Sequence, residues 1–239
     1  MSALGHYLEE EGIATVAIAL IRPQAENTRP PRALWVPFEL GRPIGPPSDK
    51  NFQHRVILAA LGLLEESRGP VLLRDYPDDD PREHDDPSWR PPIAPAAGGA
   101  REPARLADEL GAELLALAPA YARSCAARER STVGLSGLAP AAAGDYMAAW
   151  LRGPGIPASP VDDMSPVLAL RFVADDLKAF ALEAALAGDA RPSSRQLGDW
   201  LWNGTALGAA LHELRRRLLA GDDERAKAVA AFFVPALRV

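Results

Sequence analysis

Cys125 is the only cysteine of the chain and the residue that most directly suggests nucleophilic chemistry. It lies in the stretch ARSCAARERS, close in sequence to Arg123, Arg128 and Arg130. Positive charges near a thiol favour the nucleophilic thiolate. A single cysteine without a C-x-x-C partner is more often a small core residue. Cys125 is therefore the candidate nucleophile, and a structural role is its alternative.

A second candidate site lies where polar and aromatic side chains are densest. Asp199 and Asn203 are four residues apart, so they share one face of a predicted helix. If that face lies against the region of Lys178, a polar ligand-binding pocket forms between helices, with Trp202 as an aromatic wall. A packing seam is the simpler interpretation, in which the tryptophans are buried and nearby glycines let helices approach closely.

The third candidate site is the bend LGRPIGPPSD, rich in glycine and proline. We predict ligand-binding roles for Gly41, Arg42, Gly45, Ser48 and Asp49. Ligands of open parallel sheets bind beyond the carboxyl ends of the strands, near helix N-termini, and Arg42 with the nearby amides suits an anion. The alternative is a plain strand-to-helix connection with rigid turn chemistry.

Motifs for metals and cofactors are missing from the sequence. The four histidines show no H-x-x-x-H, H-E-x-x-H or E-x-x-H spacing, and one cysteine cannot form a zinc cluster. Neither G-x-G-x-x-G after a strand nor G-x-x-x-x-G-K-S/T occurs. The stretch GLSGLAP does not match G-x-S-x-G and is predicted to be a turn. We expect no metal and no cofactor.

Composition limits the classes of partner. A net charge of −6 argues against binding to nucleic acid or to an anionic membrane surface. No apolar run reaches the roughly 18 residues of a membrane span, and the N-terminus lacks the pattern of a signal peptide. We therefore expect a cytoplasmic protein that has no nucleic-acid or membrane partner.

Patterning along the chain predicts a small α/β unit at 1–76, an acidic, proline-rich loop or linker at 77–102, and a helical domain at 103–239. The fold class is thus an N-terminal unit with a small parallel sheet, followed by a mainly α-helical bundle. The elements predicted in the first unit are a helix ended by Gly12, a strand at 13–20, a loop at 22–32, a strand at 33–38, a helix at 49–66 and a strand at 70–76.

In the helical domain, cap residues mark the expected helix starts. Pro103 opens a helix that runs to about residue 130, and another helix lies within 139–152. Ser165 and Pro166 form an N-cap and first-turn pair. Ser193 and Gln196 form a capping box for one helix that runs as far as Gly221. Asp222 is predicted to cap the last helix, which ends near 234–235.

Residues 4–64 resemble the C-terminal part of the reductase domain of selenoprotein B, from the glycine, sarcosine and betaine reductases and their D-proline reductase relatives. The resemblance covers about a quarter of the chain, and its most specific part is the bend. The matching residues are Glu10, Gly12, Ile13, Thr15, Val16, Pro37, Leu40, Gly41, Arg42, Pro43, Gly45 and Asp49.

In that family, a redox selenocysteine or cysteine motif precedes the helix that here begins at Ser2, and this sequence has no counterpart. The resemblance therefore implies an accessory or non-redox subunit of a reductase-like system. Two or three strands do not make an independently stable parallel sheet. We expect that a partner subunit with a redox Cys or Sec motif, or a second copy of this chain, completes the sheet, or that the helical segment covers it. A small anionic ligand near 41–49 is the other possible binding partner.

Two alternatives to this function stay open at the level of the sequence. One is a stand-alone reductase-like enzyme that uses Cys125 or a polar pocket near Asp199 and Lys178. The other is a structural or interaction protein without catalysis. Neither the substrate nor the reaction follows from the residues alone.

Overall fold

The computed structural model describes residues 2–67, 70–80, 83–95, 101–153, 155–235 and 238. The chain divides into two compact units, Met1–His84 and Asp85–Val239. The division falls within the stretch predicted to be a linker. No helix in the described ranges is both long enough and apolar enough to cross a bilayer. In chain order the elements are α1 (Ser2–Glu10), β1 (Ala17–Ala19), α2 (Arg22–Thr28), β2 (Arg32–Trp35), α3 (Lys50–Gly62), β3 (Leu72–Asp75), α4 (Pro103–Arg128), α5 (Pro140–Arg152), α6 (Pro166–Ala185), α7 (Ser194–Gly204), α8 (Ala206–Ala220) and α9 (Glu224–Ala230).

The N-terminal unit contains a three-stranded, all-parallel sheet in the order β1-β2-β3. Ala17 pairs with Ala33 across the first ladder, and Leu34 pairs with Arg74 across the second. The predicted fold class, a small α/β unit with a parallel sheet followed by a helical region, is confirmed. All three strands are shorter than the sequence predicts.

Residues 22–32 are not a loop throughout, because Arg22–Thr28 form the helix α2. Proline is tolerated here since Pro23 lies in the first turn, where its missing N–H would have no helical partner. Arg22 forms an ion pair with Glu26 one turn later. The helix ends at Arg29, which takes a left-handed conformation. The prolines predicted a loop here, but Pro23 is compatible with the first turn of a helix.

The core of the N-terminal unit contains three aromatic rings that fix the position of the bend. Phe38 follows β2, Phe52 lies on α3 and Tyr76 follows β3, with ring centroids 5.5 to 6.1 Å apart. Gly45 packs directly on one of these rings: a Cβ there would lie 2.4 Å from Phe52, and its φ is +88°. Glycine is therefore required at 45 both for its backbone angle and for space.

Replacement of Gly45 by alanine should destabilise the N-terminal unit more than the same change at Gly41. Both glycines have positive φ, but a Cβ at 41 would meet nothing within 4 Å. We expect a loss of about 1 kcal/mol for Gly41→Ala and about 3 kcal/mol for Gly45→Ala. Hydrogen exchange of residues 32–38 measures both values. Equal losses would show that the Phe52 ring does not restrict position 45.

The helical unit is built around α4, which packs against α5, α6 and α8. The helix starts at Pro103 and Pro166 are confirmed, and Ser165 accepts a hydrogen bond from the Leu168 amide. The capping box of Ser193 and Gln196 is confirmed as well. These starts were predictable because cap residues act through hydrogen bonds to amides within their own first turn.

The single helix predicted to continue to Gly221 is in fact two helices, α7 and α8, that meet at Thr205. Thr205 is extended, and its hydroxyl accepts a hydrogen bond from the Gly208 amide as the N-cap of α8. The buried carboxylate of Glu113 also accepts from the amides of Ala206 and Leu207, at 2.6 and 3.0 Å. The break depends on Glu113 of α4, which lies 93 positions before Ala206 in the sequence. The local sequence pattern therefore does not predict it.

The last helix, α9, differs from its prediction at both ends. Asp223, rather than Asp222, caps α9, and this helix ends at Ala230.

The segment from Asp85 to Pro95, within the predicted loop or linker, belongs to the helical unit. Asp85 accepts a hydrogen bond from the Ser193 hydroxyl at 2.6 Å, and the Trp89 indole donates to a backbone carbonyl of α6.

Candidate functional site

Strand β1 is an edge strand, since it pairs with β2 and lies at one end of the sheet. The Ala19 carbonyl accepts from the Val36 amide at 2.9 Å, which directs the backbone groups of Ala19 towards β2. Successive residues of a strand direct their N–H and C=O groups to opposite edges. The N–H and C=O of Ile18 therefore point to the open side, where they can pair with another strand.

A cleft of about 460 Å³ runs along this open edge. Its wall includes β1 and the two residues after it, one face of α2 and Leu40 at the start of the bend, and Ala3 of α1 and Pro30 also line it. Leu40 is 72% exposed, and Ile21, which follows β1, is 45% exposed. Large apolar side chains beside unpaired strand backbone form a surface suited to a protein partner. We call this surface, formed by Ala17–Ile21, α2 and Leu40, the edge cleft.

The bend itself is held rigidly by its own hydrogen bonds. The Arg42 amide donates to the Glu39 carbonyl, and the Gly45 amide donates to the Arg42 carbonyl, both at 3.0 Å. Ser48 has a φ of +64°, and Asp49 caps α3 by accepting from the Phe52 amide at 3.0 Å. The predicted residues are thus brought together in one turn, which carries Leu40 into the edge cleft.

Carboxylates surround the one cation of the bend. Arg42 lies 3.9 Å from Glu39 and 4.0 Å from the buried Asp80. Burial, together with the nearby carboxylates of Glu39 and Asp80, raises the pKa of Glu83. An anion at Arg42 would compete with these acidic groups, and Asp49 already occupies the Phe52 amide at the start of α3. The electrostatics of the bend therefore disfavour a small anion at Arg42.

The four candidate residues of the helical unit do not converge on one centre. Lys178 contacts Asp175 at 2.9 Å and donates to the Phe232 carbonyl. Asp199 forms ion pairs with two arginines, and the Trp202 ring packs against His212 with centroids 6.0 Å apart. Asn203 is exposed on α7. These contacts support the packing seam.

Two carboxylates of α6 hold the loop between α4 and α5. Asp176 accepts hydrogen bonds from the amides of Gly134, Leu135 and Ser136 at 2.8 to 2.9 Å, and from the Ser136 hydroxyl at 2.5 Å. Glu183, two turns further along the same helix, accepts from the preceding part of this loop, at Ser131 and Thr132. The predicted turn GLSGLAP is therefore an anion-binding loop whose anion is an aspartate of the same chain.

Cys125 lies beside the second of these carboxylates. Its sulfur is 4.0 Å from Glu183, which also accepts from the Ser131 hydroxyl at 2.8 Å and from the amide and hydroxyl of Thr132 at 2.7 Å. Nucleophilic thiols are activated by a histidine base or a cation. The polar partners of Cys125 are instead this occupied carboxylate and the Tyr121 hydroxyl, which supports a structural role.

The pKa values of the two α6 carboxylates shift in the same direction. Burial opposes ionisation of Asp176, but its hydrogen bonds from the serine hydroxyl and the loop amides outweigh burial and lower its pKa. At Glu183 burial is likewise outweighed by the hydrogen bonds from Thr132 and Ser131, so its pKa is lowered too. Both groups therefore bind the loop as anions.

A metal centre is not found in the part of the chain that the structure describes: no three His, Cys, Asp or Glu residues there are grouped to hold an ion. Comparison with protein-family models, curated proteins and solved structures finds no match for this chain. The site geometry and the resemblance of residues 4–64 are therefore the two grounds for a proposed function.

Sequence reasoning missed the edge cleft as a surface, although it noted that the sheet is short of strands. The available signal was Leu40, a large apolar residue between Glu39 and Gly41 in a turn. Its exposure could not be predicted, because α2 was taken for a loop and the cleft wall includes α2.

Asp176→Asn should destabilise the helical unit by about 3 kcal/mol, because an amide nitrogen would face a loop N–H or hydroxyl that needs an acceptor. Asp175→Asn is the matched control, since this neighbour forms only partly exposed ion pairs with Arg171 and Lys178. We expect a loss of at most about 1 kcal/mol there. Urea unfolding followed by tryptophan fluorescence measures both, and similar losses would contradict the role of Asp176.

Acidification should weaken the same loop. The unfolded carboxyl groups titrate near about pH 4. Because the folded pKa values of Asp176 and Glu183 are lowered, the stability they add is present above that pH and is lost as the pH falls through the folded values. Glu113, whose pKa burial raises, acts in the opposite sense. The urea midpoint should fall on acidification below about pH 4, and less so in Asp176→Asn. Equal falls would refute the assignment.

Proposed function

We propose that this protein is an accessory, non-redox subunit of a reductase-like system of the glycine, betaine or D-proline type. In this proposal it binds a partner chain that carries a redox Cys or Sec motif. The contact is made through the edge cleft, next to the bend at 41–49. The observation that carries the proposal is the open side of β1, with exposed Leu40 and Ile21 beside unpaired backbone.

The arrangement of residues 4–64 supports this proposal. The resemblance implies a helix that leads into two adjacent parallel strands, and α1 is followed by β1 and β2 in that relation. Several matched residues have structural roles. Gly12, with a φ of +81°, follows α1, the Thr15 amide donates to Glu9 at 2.7 Å, and Asp49 caps α3. These roles explain why the matched residue types stand at these positions.

The proposed occupant of the edge cleft is a β-strand of the partner chain. Its backbone would pair with the outward N–H and C=O of Ile18, extending the sheet to four strands. Its side chains would cover Leu40 and Ile21, and burial of one such side chain contributes about 1.5–3 kcal/mol. Strand pairing completes the sheet, and the apolar contact contributes affinity. In this proposal the redox atom belongs to the partner chain.

Leu40→Asp should weaken the complex with the partner chain by at least about tenfold, because a buried apolar contact is replaced by a charge. The partner to be used is the chain encoded beside this one that carries a selenocysteine or C-x-x-C motif. Size-exclusion chromatography with light scattering on the co-expressed pair should give a one-to-one complex. Titration of the separate chains then gives the affinity.

The control variant is Leu115→Asp, since Leu115 is also more than half exposed but lies on α4 of the other unit. This variant should bind like the unmodified chain, and both variants should keep the same circular dichroism spectrum. The proposal fails if no such partner is encoded nearby, if the two chains stay apart, or if Leu40→Asp and Leu115→Asp bind equally well.

A further inference from the structure

The outer face of α3 is apolar and uncovered. Leu58 and Leu61 are 54% and 48% exposed, and Ile57 and Leu64 are exposed next to them. The opposite face of α3 packs into the core of the N-terminal unit. An amphipathic surface helix normally directs polar residues to solvent, so an apolar stripe on the outer face indicates an interaction surface.

Charge along this outer face is distributed unevenly. Lys50 and His54 lie in the first turns of α3, before the exposed leucines. Glu65 follows them in the turn that continues the helix, where its amide donates to the Gly62 carbonyl, whereas the adjacent Glu66 already pairs with Arg74. His54, Leu58 and Leu61 lie within about 60° of one another around the helix axis. The surface thus has a basic end, an apolar middle and an acidic end.

Such a surface is complementary to itself when two helices run antiparallel. A two-fold axis near the middle of the stripe sets Leu58 of one chain opposite Leu61 of the other and His54 opposite Glu65. Ile57 and Leu64 lie within about 20° of each other on one flank of the stripe, so the same axis brings Ile57 of one chain next to Leu64 of the other. A parallel pair would instead place like charges together.

We propose that a second copy of this chain covers the outer face of α3, forming an antiparallel α3–α3 contact across a two-fold axis. The contact uses Ile57, Leu58, Leu61 and Leu64, with the basic end of each helix beside the acidic end of the other. It does not use β1 or Leu40, so it stands or falls separately from the proposed partner complex. One helix pair is a small interface, so the dimer should dissociate on dilution.

Sedimentation equilibrium of the full chain across a range of concentrations tests the dimer. The mass should rise from that of one chain, 25.5 kDa, towards twice that value. Leu58→Glu should weaken association by at least about tenfold, because it places two charges in the apolar middle of the contact. Leu115→Glu, at an exposed position on α4 of the other unit, is the control and should associate like the unmodified chain. A single-chain mass at every concentration overturns the proposal.

Charge reversal tests the antiparallel arrangement. His54→Glu sets an acid opposite Glu65 and should weaken the dimer, and Glu65→Lys should weaken it by adding a cation at the end of the contact where Lys50 of the other chain lies. The double variant carrying both changes should recover most of the lost association, since opposite charges face each other again. A double variant weaker than both single variants would contradict the pairing.

Cysteine pairing distinguishes the two orientations directly. In a Cys125→Ser background, chains with Leu58→Cys mixed with chains with Leu61→Cys should oxidise to the mixed disulfide dimer in preference to either like pair. A parallel contact would instead join like positions. Preference for like pairs, or random pairing at all positions, would refute the antiparallel contact.

Discussion

Backbone pairing between three short parallel strands determines the organisation of the N-terminal unit. Parallel sheets are stable when their faces and edges are covered, and strands of three or four residues give few hydrogen bonds each. Strand β2 is paired on both sides and supplies the buried residues Ala33 and Leu34. Within the part of the chain that the structure describes, β1 is paired on one side only, which leaves some of its hydrogen-bonding groups without a partner strand. The edge cleft exists because this side of β1 is open.

The rigid bend next to the sheet holds an apolar side chain at the open side of β1. The bend is locked by positive-φ residues, by the cap of Asp49 and by the contact between Gly45 and the Phe52 ring. Leu40 is therefore presented at a fixed position instead of folding back into the core. Preorganisation of this kind lowers the entropy lost when a partner binds.

The helical unit uses buried carboxylates as internal anchors. Glu113 caps α8, and Asp176 and Glu183 bind consecutive parts of the α4–α5 loop. Each carboxylate satisfies backbone amides that would otherwise be buried without acceptors. These acids are thus explained by loop and helix ends, and the unit needs no catalytic role to account for them.

Local signals in the sequence predicted much of this architecture. The cap at Ser165, the capping box at Ser193 and the strand around Ile18 depend on neighbours within a few residues, and each was predictable, although β1 is a half-buried edge strand and not one buried on both faces. The break at Thr205 depends on Glu113, and the docking of Asp85 depends on Ser193, so both required the three-dimensional structure. The candidate residues of the bend do lie together, whereas Lys178 and Asp199 do not, because their charges are satisfied by different partners.

Hydrogen exchange of β1 in the presence of the partner chain tests the central claim most directly. The claim is that a partner strand pairs with the open side of β1. Mass spectrometry of the peptide that covers residues 17–21 should show slower amide exchange in the complex than in the free chain, because the outward N–H of Ile18 becomes hydrogen-bonded. Unchanged exchange in that peptide, in a complex that has formed, would contradict the claim.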